Sequence, residues 1–164
     1  MIITDEPLSR SPRLFRVVAA RNVQLDVKGK ASADRPLSGA ETSLQEILDR
    51  LVASVPGIVG AVVAHRNGLP IASSLRGRKR VELIAVSAMA ALAIEAGLNV
   101  ARNLDYRTVN SVTVEGANWK VVCGATPSGA AILLIMLEEP ANLGLLKLSL
   151  PRCLEDIEHD IAKL

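Results

Sequence analysis

The sequence predicts a domain of the α/β (α+β) class whose elements follow the order α-β-β-α-β-β-β-α. Three observations support this class. Two solidly aliphatic segments, residues 58–64 and 130–137, have the length and composition of buried strands. Three stretches with apolar residues at helical spacing flank or separate the strands. Turn-forming residues such as Asn67-Gly68 stand between the segments and mark their ends.

The first helix is predicted from Ser43 to Val55. Ser43 followed by Glu46 matches a capping box at its beginning, and the Pro56-Gly57 pair ends it. The helical periodicity comes from Leu44, Ile47, Leu48, Leu51, Val52 and Val55. The domain is therefore expected to open with an amphipathic helix.

Two strands follow and are predicted to form a hairpin. Residues 58–64 are a continuous apolar run, as expected for a strand covered on both faces. Asn67-Gly68 is a strong signal for a tight turn, so residues 70–74 are predicted to return alongside the first strand.

A long apolar helix and three further strands complete the predicted sheet. The helix is expected over residues 81–104, and the strands over residues 108–115, 119–125 and 130–137. Strands 58–64 and 130–137 are the most apolar and belong in the centre of the sheet. Strand 108–115 carries more polar residues and belongs at an edge.

The last helix is predicted over residues 142–163. Pro151 lies inside it and removes the hydrogen bond to the Lys147 carbonyl, so a kink or a break is expected there. The pattern shows no internal repeat.

Length and charge indicate one domain preceded by a basic leader. The 164 residues suffice for a single core. Residues 1–40 carry seven Lys or Arg against four Asp or Glu, whereas residues 41–164 carry twelve against thirteen. We therefore divide the chain into a leader over residues 1–40 and a domain over residues 41–164. The leader is expected to be partly flexible, or to add a strand or arm near residues 23–28, where apolar and polar residues alternate.

The residue types exclude several classes of site. Cys123 and Cys153 form no Cys-x-x-Cys pair, and with His65 and His159 they show no metal-ligand spacing. No GxxxxGK[ST] motif occurs, so the chain is not itself a GTPase. No nucleophile stands in a catalytic motif, which predicts a protein that is not an enzyme. We expect no cofactor and no metal.

The same composition predicts a cytoplasmic protein. Charged residues interrupt the N-terminal stretch, so no signal peptide is expected. The longest uncharged run of the most apolar helix, residues 83–94, is too short to span a bilayer, and no membrane insertion is predicted. Only three aromatic residues occur and the domain is nearly neutral, which argues against a nucleic-acid partner. Both cysteines are expected to be reduced and structural.

Three segments resemble the Roadblock family of dynein light chains and their prokaryotic relatives. They are Leu48-Asp49-Arg50-Leu51 through Val55-Pro56-Gly57-Ile58, then Gly68-Leu69-Pro70-Ile71-Ala72-Ser73, and finally Pro140-Ala141-Asn142-Leu143-Gly144-Leu145-Leu146. In order and spacing the likeness covers residues 42–163. Pro151 and the leader depart from the family's pattern.

The Roadblock resemblance implies a five-stranded antiparallel sheet with one helix on one face and two on the other. It also implies a dimer that binds and regulates a small Ras-like GTPase in signalling. The alternative is a structural adaptor or scaffold subunit of a larger complex that makes no direct contact with a GTPase. A small-ligand sensor is a third possibility, but the inferred core contains no cluster of polar groups.

The helix over residues 81–104 is apolar on two opposite faces. The face that explains packing on the sheet is formed by Leu83, Val86, Ala90, Ile94, Gly97, Ala101 and Leu104. The opposite face is formed by Val81, Ile84, Ala85, Ala88 and Leu92, and it turns polar at Glu95, Asn99 and Arg102. A helix that is apolar on both sides needs burial on both sides, so we predict a homodimer through the outer face. Coverage of this face by the leader is the alternative.

The basic loop before this helix is a candidate for partner steering. It contains Arg76, Arg78, Lys79 and Arg80 around a lone glycine. Such a loop attracts acidic partner surfaces through its field, although a solvated loop that makes no contact has the same composition.

Overall fold

The structure is a computed structural model, and it describes residues 39–77 and 81–163. The predicted features of the leader before Gly39 lie outside the described residues. So do Arg78, Lys79 and Arg80 of the basic loop.

Eight elements follow in the predicted order. The helices are α1 (Gly39–Ser54), α2 (Leu83–Asn103) and α3 (Leu143–Ile161), and the strands are β1 (Ile58–His65), β2 (Pro70–Leu75), β3 (Val112–Glu115), β4 (Trp119–Ala125) and β5 (Ala131–Glu138). This is the α+β class that the sequence predicts, and the element order is confirmed.

The five strands form one antiparallel sheet with the spatial order β2-β1-β5-β4-β3. β5 lies in the centre and pairs with β1 on one side and β4 on the other, with Val62 opposite Leu134 and Val122 opposite Ile135. The central positions predicted for the two aliphatic strands are confirmed, and so is the edge position of β3.

The helices divide between the two faces of the sheet. Ala61 and Val63 of β1 point into a large core with α1 and α3, whereas Val62 between them belongs to a smaller core under α2. In β5, Leu133 and Ile135 join the large core, and Ile132 and Leu134 the smaller one. This period-two alternation is the geometry of a strand buried on both faces.

The capping box predicted at Ser43 is wrong. Helix α1 begins at Gly39, so Ser43 lies inside the helix rather than at its N-cap. Its hydroxyl donates instead to the carboxylate of Asp160 in α3, 117 positions away in the chain. A tertiary contact uses the side chain that the local pattern assigned to a cap.

Pro151 does not break the last helix, which runs without interruption from Leu143 to Ile161. Asn142 caps it, because its side-chain oxygen accepts a hydrogen bond of 2.9 Å from the Leu145 N–H. Leu150 and Leu154 on either side of the proline are buried in the large core. We infer that this packing offsets the hydrogen bond that the proline removes.

Strand β3 is shorter than predicted. It begins at Val112 rather than near residue 108, because residues 104–111 first turn away from the end of α2. Asp105 takes a left-handed conformation with φ 61°, and the Tyr106 N–H bonds the Ala101 carbonyl at 2.8 Å. The segment then passes so close to α2 that a Cβ added at Gly97 would lie 2.7 Å from Val112 Cγ2.

Two of the segments that carry the Roadblock resemblance meet at Gly57. Its φ is +89°, and a Cβ added there would lie 2.5 Å from Ala141 Cα. The Glu138 N–H donates to the Gly57 carbonyl at 2.9 Å, and the Asn142 N–H to the Pro56 carbonyl at 3.3 Å. The turn before β1 is therefore fixed against the chain that enters α3.

Replacing Gly57 by Ala should destabilise the domain strongly. The new methyl group meets backbone atoms, and the left-handed conformation costs an L-residue about 1–2 kcal/mol even where space is free. Gly129 is the matched control, since its φ is +71° and nothing lies within 4 Å of an added Cβ. Urea denaturation should show a clearly larger loss of unfolding free energy for Gly57→Ala than for Gly129→Ala. Equal losses would mean that the close approach to Ala141 costs nothing.

Candidate interaction surfaces

The outer face of α2 carries several large apolar side chains that are exposed. Ile84 is 66% exposed and Leu92 62% exposed, and Met89 and Val100 are exposed to a similar degree. Ala85 and Ala96 lie exposed between them. The side that faces the sheet is buried at Ser87, Ala90, Ile94 and Ala101. The helix thus leaves an apolar stripe of about five turns without a partner among the described residues.

The five predicted contact residues are not equally exposed. Ile84, Ala85 and Leu92 are exposed, whereas Val81, just before the helix, is half-buried. Ala88 is also half-buried, because the hairpin turn approaches it: a Cβ added at Gly68 would lie 2.8 Å from Ala88 Cα. Ala88 therefore belongs to the flank of the exposed stripe rather than to its centre.

Met89, Ala96 and Val100 belong to the same stripe and are not among the predicted contact residues. With Ala85 and Leu92 they form a run at spacings of three and four residues, which is the signal that could have found them. Beside the stripe, Arg102 bonds the side chain of Asn99 at 2.9 Å and that of Glu95 at 3.5 Å. The polar end of the predicted face is thus an internally bonded cluster.

The edge strand β3 lies next to α2. Val114 of β3 and Trp119 of β4 are 46% and 42% exposed. Val112 and Val121 pack under α2. Because alternate residues of a strand share a face, Val114 and Trp119 lie on the α2 side of the sheet. The apolar surface of this side therefore includes strand residues near the sheet edge as well as the helix.

A salt-bridge cluster holds β3 in register on the opposite face. The Lys120 ammonium group lies 2.9 Å from a Glu115 carboxylate oxygen and 2.6 Å from a Glu139 carboxylate oxygen. The hydrogen bonds to Glu139 and Glu115 raise the pKa of Lys120, and the bond from Lys120 lowers the pKa of Glu139. These bonds connect the edge strand to the chain that follows β5.

The basic loop enters α2 from the end of β2. Arg76 is exposed, and its backbone N–H donates to the Val59 carbonyl at 2.8 Å, so the loop begins from a fixed position beside β1. Arg78, Lys79 and Arg80 lie in the part of the chain that is not described.

A groove lies between α1 and α3, on the face of the sheet opposite α2. Its volume is about 470 Å³. The lining residues are Ile47, Arg50, Leu51, Ser54, Leu148, Ser149, Arg152, Cys153 and Asp156. Leu148 at its rim is 81% exposed, more than any other large apolar residue described. No sequence pattern predicted this groove.

Comparison with known proteins decides the family. The family profile of the Roadblock/LC7 domain matches residues 44–137, more than half of the chain. The chain belongs to the Roadblock/LC7 family.

Two uncharacterised proteins of Methanocaldococcus jannaschii are similar to this Roadblock domain over most of its length. They are 31% and 30% identical to it over 115 residues, which is 68% of this chain and 97% of each relative. The gliding protein MglB of Thermus thermophilus superposes with a TM-score of 0.71 at 18% identity, over 78% of this chain and 95% of its own. A Roadblock/LC7 domain of Streptomyces avermitilis gives 0.65 at 18% identity, over 72% and 97%. These structures share the fold.

The hairpin histidine and the two buried cysteines of this Roadblock domain have structural roles. The His65 ring accepts a hydrogen bond of 3.3 Å from the Asn67 N–H at the hairpin turn, and the ring is exposed. Burial raises the pKa of the Cys123 thiol to about 11 and that of Cys153 to about 12, so neither is a reactive thiolate at neutral pH. Within residues 39–77 and 81–163 no group of three or more acidic, His or Cys side chains is placed to hold a metal ion.

The length of α2 does not exclude a membrane span, although the uncharged run over residues 83–94 predicted that it would. Helix α2 is long and apolar enough to cross a membrane by length and composition alone, since only Glu95 and Arg102 interrupt it. A helix that packs on a sheet passes the same test, and α2 packs on this one through Ala90 and Ile94. A single helix of this kind is weak evidence for a span.

Asp160 fastens α3 to α1. Its side chain is buried, accepts a hydrogen bond from Ser43, and lies 2.6 Å from the Lys163 ammonium group. The bonds from Lys163 and Ser43 lower the pKa of Asp160, in that order of size. The carboxylate form is therefore the one that holds the two helices together.

Replacing Asp160 by Asn should lower the free energy of unfolding by about 1–3 kcal/mol near neutral pH. A carboxylate whose pKa is lower in the folded protein stabilises the fold above its unfolded pKa, and that stabilisation is lost as the pH falls. The difference from the native chain should therefore shrink below about pH 4. Denaturation with urea at several pH values measures it. Asp156→Asn, at a half-buried position of the same helix, is the control, and a loss as large there would contradict the role of Asp160.

Proposed function

We propose that this chain is a non-catalytic, homodimeric binding module that binds and regulates a small Ras-like GTPase in the cytoplasm. The observation that carries the proposal is the apolar outer face of α2, which has no partner among the described residues. The GTPase itself comes from the Roadblock resemblance. The absence of nucleotide-binding and catalytic motifs from the sequence supports a role as the regulator rather than the enzyme.

The shape of the α2 surface supports pairing with a second copy. Ala85 and Ala96 flank the larger Met89 and Leu92 along the helix, and small side chains allow two helix backbones to approach closely. A two-fold axis through this face would place the same stripe against itself, which is the geometry of an isologous dimer. MglB, which shares the fold, has been solved in a tetrameric arrangement. Self-association through this fold therefore has a precedent.

The β3 edge can extend the same contact. It lies beside the second half of α2, as the closeness of Gly97 to Val112 requires. An edge strand offers unpaired backbone groups to another strand. A dimer that joined both α2 helices and both β3 edges would bury Val114 together with the helix stripe. The GTPase would then meet a composite surface that a single chain does not present.

Replacing Leu92 by Glu should separate the chains. The change places an unpaired charge in the centre of the contact, and a penalty of about 3 kcal/mol weakens association more than a hundredfold. At low micromolar concentration, sedimentation should give two copies for the native chain and one for Leu92→Glu. Ala53→Glu on the exposed side of α1 makes a comparable change elsewhere and should leave two copies. A native chain that sediments as a single copy at this concentration would end the dimer proposal.

Binding of the GTPase should depend on its nucleotide. The switch loops of a Ras-like GTPase are ordered only while the γ-phosphate is present, so a surface that recognises them distinguishes the two states. Calorimetry with the small GTPases of the same organism, each loaded with GDP or with a non-hydrolysable GTP analogue, should show heat for one state. The chain alone should hydrolyse no GTP.

Reversing the charge of Arg76, Arg78 and Lys79 together should weaken binding mainly at low salt, if the loop steers association.

The adaptor function is the second candidate, and one observation favours it. The groove between α1 and α3 lies on the opposite side of the sheet from α2, so the domain offers two separate surfaces. Absence of heat with every GTPase in both states, in a chain that still dimerises, would favour this adaptor function.

A further inference from the structure

We propose that the groove between α1 and α3 is a second self-association surface, which takes a two-fold related copy of this chain. The proposal goes beyond the function proposed above and does not depend on it, because it concerns the opposite face of the sheet. It predicts that pairs of chains joined elsewhere assemble further through this groove.

The groove places a projecting apolar side chain beside an apolar depression. Ile47, Leu51 and Cys153 line a depression of about 470 Å³, and Leu148 stands beside it on the same surface, 81% exposed. A projecting leucine next to an apolar depression is a poor arrangement for a surface that stays in water. A two-fold axis through the groove would carry each Leu148 into the depression of the other copy, as an isologous interface requires.

The charges of the groove select the same occupant. Arg50 lies on the α1 wall, and Arg152 and Asp156 lie on the α3 wall. None of these three makes an ion pair within 4.0 Å with a residue of the described chain. Arg152 and Asp156 are four positions apart, but an exposed pair at that spacing contributes only about 0.3–0.5 kcal/mol. Their charges therefore remain available to a partner.

A partner of a single charge would meet repulsion in this groove. An acidic segment would face Asp156, and a basic segment would face Arg50 and Arg152. A second copy brings an aspartate and two arginines together, so that each carboxylate can lie against a guanidinium of the other chain. Mixed charge around an apolar centre thus favours another copy of the same surface over a partner of a single charge.

The position of the groove makes the contact compatible with pairing through α2. Helices α1 and α3 cover one face of the sheet and α2 covers the other. Two isologous contacts on opposite faces can coexist in a four-copy assembly whose two-fold axes intersect. The groove lining includes three charged side chains, whereas the exposed stripe of α2 is apolar, so this contact should be the weaker of the two.

Sedimentation over a rising concentration series tests the proposal. The native chain should progress from two copies to four, whereas Leu148→Glu should remain at two at every concentration. Asp156→Arg should also remain at two, and the double variant Arg152→Asp/Asp156→Arg should recover four, because it restores opposite charges in exchanged places. Glu155→Arg makes the same charge change as Asp156→Arg just outside the lining and should behave as the native chain does.

The variants also separate this proposal from the dimer through α2. Leu92→Glu should give single copies when dilute and pairs when concentrated, and adding Leu148→Glu should abolish those pairs. If Leu148→Glu leaves the copy number of the native chain unchanged at every concentration, the groove proposal is overturned. Persistence of pairs in dilute Leu92→Glu would instead overturn the α2 dimer. Circular dichroism of each variant establishes that the helices remain folded.

Discussion

The rest of the structure depends on a central strand that is buried on both faces. β5 has no polar residue between Ala131 and Leu137, and its alternating side chains enter two separate cores. Helices must therefore cover both sides of the sheet. Five strands span about 19 Å between the outermost axes, and one helix covers a width of about 10 Å. Two helices suffice for one side, but a single helix leaves the other side partly bare.

This imbalance explains why the exposed apolar residues collect on the α2 side. Val114 and Trp119 are strand residues that α2 does not reach, and the outer stripe of α2 has no second layer over it. The proposed pairing through α2 supplies that missing layer from a second copy. In that proposal the contact that completes the core is also the one that forms the binding surface.

The sequence predicted the features that local pattern determines. Aliphatic runs identified β1 and β5 as central strands, and the Asn67-Gly68 pair located the hairpin, because strand burial and turn conformation are encoded in adjacent residues. The outer face of α2 was predicted from helical spacing, although the predicted set of residues was too narrow and did not include Met89 and Val100. The half-buried state of Ala88 depends on Gly68, twenty positions away, and no periodicity in α2 reveals it.

Features made by distant segments could not be predicted. Ser43 and Glu46 have the spacing of a capping box, yet Ser43 serves Asp160 at the other end of the domain. Pro151 marks a break by local rules, yet burial of Leu150 and Leu154 keeps the helix continuous. The groove exists only because α1 and α3 pack side by side. Its arginines and leucine lie on these two helices, which all five strands separate along the chain. Chain topology, rather than composition, creates that surface.

The two cysteines divide between the two cores, and this gives the domain an internal pair of reporters. Cys123 lies in the layer under α2, and Cys153 lies in the layer of α1 and α3. Cys123 is 2% exposed, and Cys153, which lines the groove, is 7% exposed, so each thiol reacts slowly until its own layer opens. The rates at which the two are modified therefore read out the opening of each layer separately, without any added label. Matching rates would reveal a sheet whose two sides come apart as one unit, whereas unequal rates would reveal a face that breathes alone.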